Sequence, residues 1–244
     1  MDLTPNAMPR RTVVIFFLID TSGSMYGNKI GSVNSSIEEV LPMIRKLNQS
    51  NTDAEVKIAA MTFADNANWI YDEPKPAENF VWRDVDADGM TNFGEACEKL
   101  KEKLSRHEFL PTSTGSGYFA PVILLLSDGE PTDYVWQTKL AELKQNNWFK
   151  HALKFAIAIG DDCNEDVLAE FTGNKESIKT VHNVNALKTL IKLVTITSSQ
   201  IGSQSKSVGN TTKQDQLNQK IDEQTDGVDG VGNNFEDDWK EIWE

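Results

Sequence analysis

Five oxygen-bearing side chains stand at the ends of short apolar runs. Asp20, Ser22 and Ser24 form an Asp-x-Ser-x-Ser turn after Val13–Ile19. Thr91 lies in Gly89-Met90-Thr91-Asn92, and Asp128 opens Asp128-Gly129-Glu130-Pro131-Thr132-Asp133 after Val122–Leu126. Hydroxyls and carboxylates with no His or Cys among them select a hard cation, Mg²⁺ first with Mn²⁺ or Ca²⁺ as alternatives, and disfavour zinc. In a turn leaving a strand, alternate residues present their oxygens to one point, and Gly23 supplies backbone freedom. If neutral hydroxyls touch the ion and carboxylates act partly through water, the ion keeps much of its charge. It then seeks an anionic ligand from outside.

Each piece also has a plainer use. Ser22 or Ser24 could cap the helix starting near Asn28, Thr91 could cap the Phe93 helix, and Asp-Gly is a common turn pair. A sharper rival lies in the same loop. Asp84-x-Asp86-x-Asp88-Gly89 followed by Glu95 satisfies the EF-hand calcium pattern. Its context opposes it: Pro74, Pro76 and a strand-like Phe80-Val81-Trp82 stand where a helix is needed, and Glu95 falls in a first helical turn, where acids are favoured anyway. A looser second cation site built from Asp84, Asp86, Asp88 and Glu95 stays open. An Mg²⁺-dependent phosphatase-like enzyme is the other alternative. That chemistry wants a general acid two positions after Asp20, where Ser22 stands, and His107, His151 and His182 are scattered. No turnover is expected.

The elements that must position these groups follow from periodicity. Val13–Ile19, Val56–Phe63, Val122–Leu126 and Lys154–Ile159 are short apolar runs that suit strands buried on both faces of a parallel sheet. Between them, apolar residues at helical spacing run from Ile30 to Leu47, from Phe93 to Leu104, from Trp136 to Leu143 and from Leu187 to Ile196. The alternation predicts a doubly wound, mostly parallel α/β sheet with helices on both faces, a three-layer sandwich. Ala67–Tyr71 follows Phe63 too closely for a crossover, so it is expected to be an antiparallel edge strand. Ligand sites in such sheets lie beyond the carboxyl ends of the strands, which is where the five oxygens fall.

Composition bounds the setting. The 244 residues carry a formal net charge of −13, which argues against nucleic acid and anionic lipid as partners. Cys97 and Cys163 are too few for a disulfide framework and point to a reducing, cytoplasmic compartment. No stretch approaches the ~20 apolar residues of a membrane span. Arg10-Arg11 before Val13–Ile19 imitates a signal peptide, but the run stops at Asp20 without a small-residue cleavage site. Residues 1–11 read as an arm, 12–197 as the domain, and 198–244 as an acidic tail too poor in apolar residues to fold alone. Within that tail, 234–244 places Phe235, Trp239, Ile242 and Trp243 on one face of a short helix. That face is a candidate contact for another protein, or a carrier of a carboxylate to its own or a neighbour's metal. Tyr134 and Trp136, close after the Asp128 loop, are further candidate partner contacts.

Asp20-x-Ser22-x-Ser24, Thr91 and Asp128 resemble the metal-ion-dependent adhesion site of von Willebrand factor A domains, over about residues 12–197. Within that superfamily, Gly-Met-Thr-Asn and Leu-Ser-Asp-Gly-Glu-Pro-Thr-Asp are most similar to bacterial TerY-type proteins associated with tellurite resistance and stress. The resemblance implies direct ligation by Ser22, Ser24 and Thr91, with Asp20 and Asp128 largely through water. It also implies a partner that offers an acidic residue, from an assembly that includes other Ter-type proteins, a kinase or a phosphatase. Met90 departs from the pattern, since many members carry Gly there.

Overall fold

A computed structural model describes residues 10–52, 54–110, 117–160, 163–202 and 211–232. β1 (Arg11–Asp20) is buried at every position after its first. α1 (Asn28–Ser50) turns Ile30, Val33, Ile37, Val40, Leu41 and Ile44 inward. β2 (Ala54–Phe63) returns parallel to β1, and the short β3 (Ala67–Trp69) and β4 (Lys75–Pro76) fold back on β2 antiparallel. α2 (Phe93–Lys103), β5 (Val122–Ser127), α3 (Trp136–Lys144), α4 (Asn147–His151), β6 (Leu153–Ile159), α5 (Glu165–Thr172) and β7 (Ile178–Val181) complete the alternation. α6 (Val184–Gly202), α7 (Lys213–Thr225) and β8 (Val231–Gly232) close the chain.

The sheet runs β3-β2-β1-β5-β6-β7-β8, with β4 also on β2. β2, β1, β5, β6 and β7 are parallel, and β8 joins β7 antiparallel. Successive strand residues face opposite sides, so β1 feeds two cores. Val13, Ile15, Phe17 and Ile19 pack with α1 and α6, while Val14, Phe16 and Leu18 pack with α2, α3 and α5. The expected doubly wound α/β sheet with helices on both faces is what forms. Because β2 and β5 lie on opposite sides of β1, the chain reverses direction across the sheet there, opening a crevice at the carboxyl ends of β1 and β5.

The expected antiparallel edge strand forms beside β2, and β8 adds a second antiparallel strand at the other edge. Two expectations need correction. Phe80-Val81-Trp82 is irregular chain, not a strand: Phe80 and Trp82 are buried one by one, and Asn34 holds the segment by accepting from the Trp82 indole N–H (3.2 Å) and the Val85 N–H (3.1 Å). The tail expected to be unfolded from Ser198 is ordered in its described part. α6 runs on to Gly202, and α7 buries Leu217 and Ile221 in the same core. α7 starts on a reciprocal cap between Thr212 and Asp215, which satisfies two orphan donors at once. Residues 234–244, including Phe235, Trp239 and Trp243, lie outside the described residues.

Candidate metal centre

β1 delivers Asp20 beside the end of β5, since Ile19 pairs with Leu126. Ser127 is therefore the lateral neighbour of Asp20, and its hydroxyl donates to Asp20 Oδ2 at 2.6 Å. Asp20 Oδ1 accepts the Ser22 N–H at 2.9 Å, folding the turn so that the Ser22 and Ser24 hydroxyl oxygens come within 3.1 Å. Asp20 is fully buried. Burial pushes its carboxyl up to about 6, opposed by the hydrogen bonds from Ser127 and Ser22 and reinforced by the Asp128 charge.

The other two loops are tied to this turn through backbone. Gly23 N–H donates to Gly89 O (3.0 Å) and Asp88 N–H to Thr21 O (2.9 Å), bringing the Thr91 segment against the first loop. Thr91 N–H donates to Thr132 Oγ1 (2.9 Å), and Thr132 N–H returns to Thr91 O (3.0 Å). Those two bonds join the second loop to the third. Asp128 O accepts the Asn164 N–H, and Gly129 N–H donates to Ser127 Oγ. Gly129 is obligatory here: its φ is +77°, and a Cβ would stand 2.8 Å from Asn164 O.

The helix caps are made by other residues. Asn92, not Thr91, caps α2, accepting from the Glu95 N–H. Gly27 occupies the N-cap of α1, and neither Ser22 nor Ser24 caps it. Ser22, Thr91 and Asp128 are all buried, whereas Ser24 is exposed. Among the described residues, Asp128 Oδ1 is buried with no hydrogen-bond partner. Its Oδ2 faces the Lys29 ammonium at 3.5 Å. A buried carboxylate oxygen without a donor is costly, and a cation with its bound water would satisfy it. The donor set is oxygen only. Its chemistry suits a hard divalent ion.

The alternative acids do not assemble. Glu95 pairs with Lys99 (2.9 Å) and accepts the Ala67 N–H (3.1 Å). Asp84, Asp86 and Asp88 are exposed, no helix lies between β4 and Asp84, and Asp88 Oδ1 accepts the Gly89 N–H. Among the described residues no three His, Cys, Asp or Glu side chains cluster in a way that could hold a metal. Of the aromatic candidates, Trp136 packs on Phe93 with ring centroids 6.3 Å apart, while Tyr134 is fully exposed. Burial pushes Cys97 far up and Cys163 up to about 12. Sequence reasoning left out three supporting residues: Ser127, Thr132 and Lys29. Ser127 had a signal, a hydroxyl closing an apolar strand; Lys29 had none.

Comparison with known proteins places the chain in a family. The sequence model for the von Willebrand factor type A domain matches residues 15–193. The chain belongs to the von Willebrand factor type A domain family. It is 28% identical over 149 residues to pig inter-alpha-trypsin inhibitor heavy chain H4, covering 58% of this chain and 14% of that protein. To the human heavy chain H6 it is 25% identical over 175 residues, covering 67% and 13%. The chain thus spans about one seventh of the curated relatives it matches. Among solved structures, proximal thread matrix protein 1 from the mussel byssus superposes with a TM-score of 0.57 at 19% identity, over 78% of this chain and 48% of that one. A second structure of the mussel protein, with a zinc-occupied metal-ion-dependent adhesion motif, gives 0.54 at 18% identity, over 75% and 44%. The von Willebrand factor type A protein from Catenulispora acidiphila gives 0.56 at 15%, over 77% and 43%. These likenesses establish the fold. Von Willebrand factor type A domains generally mediate protein–protein interactions, and no helix among the described residues is long and apolar enough to cross a membrane.

Proposed function

We propose that this protein is a divalent-cation-dependent binding module. Ser22, Ser24 and Thr91 would hold the ion directly and Asp20 and Asp128 through water, leaving a position for an acidic side chain of a protein partner. The observation that carries this reading is the buried, donorless Oδ1 of Asp128, on a loop tied through Thr132 and Thr91 to the loop that holds the serine pair. The bound ion supplies local positive charge, which lets a chain of net charge −13 bind an acid. The chain's own part is to hold the three loops in register and keep both carboxylates out of bulk water. Mg²⁺ is the ion this donor set favours, with Mn²⁺ and Ca²⁺ as competitors. The zinc-occupied mussel relative makes Zn²⁺ a necessary arm of the titration.

The likeness of the Thr91 and Asp128 loops to TerY-type proteins supports a bacterial, cytoplasmic setting in a tellurite- or stress-response assembly. Partners would then include other Ter-type proteins, a kinase or a phosphatase. Binding rather than turnover is the proposed activity, because Ser22 stands where a phosphatase needs its general acid and neither thiol is activated.

Calorimetric titration with each cation, on the native chain and on Thr91→Ala, tests the site. A pull-down with and without chelator tests the function. Cation binding lost in Thr91→Ala, together with chelator-sensitive capture, is the expected result. Equal cation affinity in the two proteins would overturn the reading. Phosphomonoester hydrolysis abolished by Asp20→Asn would replace it with the enzyme.

A further inference from the structure

Five large apolar side chains are strongly exposed among the described residues: Tyr26, Val81, Met90, Tyr134 and Val135. Four of them ride on the loops that carry the candidate ligands. Tyr26 follows Ser24 by two positions, Met90 adjoins Thr91, and Tyr134 and Val135 follow the Asp128 loop. The backbone bonds Gly23–Gly89 and Thr91–Thr132 hold these loops side by side. An exposed apolar rim around a polar centre marks a binding surface. An occupant must offer a carboxylate at the middle and apolar groups beside it.

The chain carries such a segment. Residues 233–244 hold Phe235, Trp239, Ile242 and Trp243 interleaved with Glu236, Asp237, Asp238, Glu241 and Glu244. They follow Gly232, which lies on β8 opposite Thr180, one residue from the carboxyl end of β7. From β8 to β1 is four strand spacings through β7, β6 and β5, about 19 Å. β8 is antiparallel to β7, so the chain leaves Gly232 heading away from the carboxyl ends and must turn back. Nine extended residues cover about 30 Å, which spans that distance after such a turn and brings Glu241 and Glu244 to the crevice. Five acids against one lysine give the segment a net −4, and the rest of the chain holds the remaining −9 of −13. Like charge opposes docking unless a cation stands between them.

We infer that the 233–244 segment docks on its own metal centre, one of its carboxylates completing the site and its aromatic side chains covering Tyr26, Met90 and Tyr134. The bound partner of the site at rest is then the chain itself, and an external acidic partner must displace it. This rests on the metal-binding reading above. A tether of this length sets an effective concentration near 1 mM, so a segment with an intrinsic Kd of about 0.1 mM is about 90% docked.

The test uses Mn²⁺ as a paramagnetic probe on the full chain, with NMR line broadening as the readout. In dilute native protein the Trp239 and Trp243 indole signals are expected to broaden together with the Gly89 and Gly129 amides. In the variant with all five acids amidated (E236Q, D237N, D238N, E241Q, E244Q), the tail broadening is expected to fall about tenfold while the glycines still respond, tracking the loss of docked fraction. Tyr26→Ala combined with Tyr134→Ala should weaken it severalfold, and Val81→Ala, outside the three loops, should leave it unchanged. Glycine broadening with tail signals equal in native and amidated chains overturns this inference alone. Tail broadening that disappears on dilution also overturns it, in favour of a second copy as occupant. Absence of glycine broadening at any Mn²⁺ concentration sinks the metal-binding reading, and this inference falls with it.

Discussion

At the scale of single residues the site is a contest between charges that share one small volume. The Lys29 ammonium lies 3.5 Å from Asp128 Oδ2, so it offsets part of the carboxylate charge that a divalent ion would use. Lys29→Met is expected to raise Mg²⁺ affinity by about tenfold, a change of roughly 1.4 kcal/mol, measured by calorimetry. An unchanged affinity would show that Asp128 does not face the ion. Gly129 tests the scaffold rather than the charge. With φ at +77° and Asn164 O at 2.8 Å from any Cβ, Gly129→Ala should lower stability by about 2–3 kcal/mol in urea unfolding, where a surface Gly→Ala would be near neutral. The five ligand candidates were legible in the sequence because they are small, oxygen-bearing and punctuated by glycine at strand ends. Ser127 and Thr132 were legible only as loop composition, because their roles depend on pairing across strands and loops that are distant in sequence. The Asp84–Glu95 pattern misled for a physical reason: a ligand spacing matters only if the backbone curls around one point, and here Glu95 turns away to Lys99.

At the scale of elements, sequence periodicity predicted well wherever an element is long or buried on both sides. β1, β2, β5 and β6, with the helices between them, follow this rule. α5 and β7 escaped notice because eight and four residues are too few to establish a period. α7 escaped because its only apolar anchors are Leu217 and Ile221; it holds by docking on α6 and β6, and by Gln214, whose side chain bonds both the N–H and the C=O of Lys154. Leu217→Ala should therefore cost about 2–5 kcal/mol, read as a shift of the whole cooperative unfolding transition. A small early transition instead would make 211–232 a detachable appendage. Lys154 gives the same region a pH signature. Burial pushes its ammonium down from the ordinary 10.5 to about 8. The unfolded chain keeps that proton up to about 10.5, so unfolding between pH 8 and 10.5 takes up a proton and stability rises with pH across that window. In Lys154→Met this rise should disappear. A variant with the same pH slope as the native chain would place the ammonium in water.

At the scale of the whole molecule, charge and fold pull in different directions. A net −13 disfavours the compact state by self-repulsion, and the crevice between β1 and β5 concentrates two of those charges, Asp20 and Asp128, where they are buried. A divalent ion bound only by the folded chain relieves the repulsion at its worst point. At a free concentration of about 100 times its Kd, such an ion stabilises by about 2.7 kcal/mol, or about 5–10 °C in Tm for a domain of this size. Monovalent salt also raises Tm, by screening charge over the entire surface, and that contribution does not depend on Thr91. Thermal unfolding of native chain and Thr91→Ala, each with Mg²⁺ or with NaCl at matched ionic strength, separates the two. The NaCl shift should be the same in both proteins, and the extra Mg²⁺ shift should appear only in the native one. Equal Mg²⁺ shifts would mean that the cation acts on the acidic surface at large, and the crevice would then be an incidental feature of the fold.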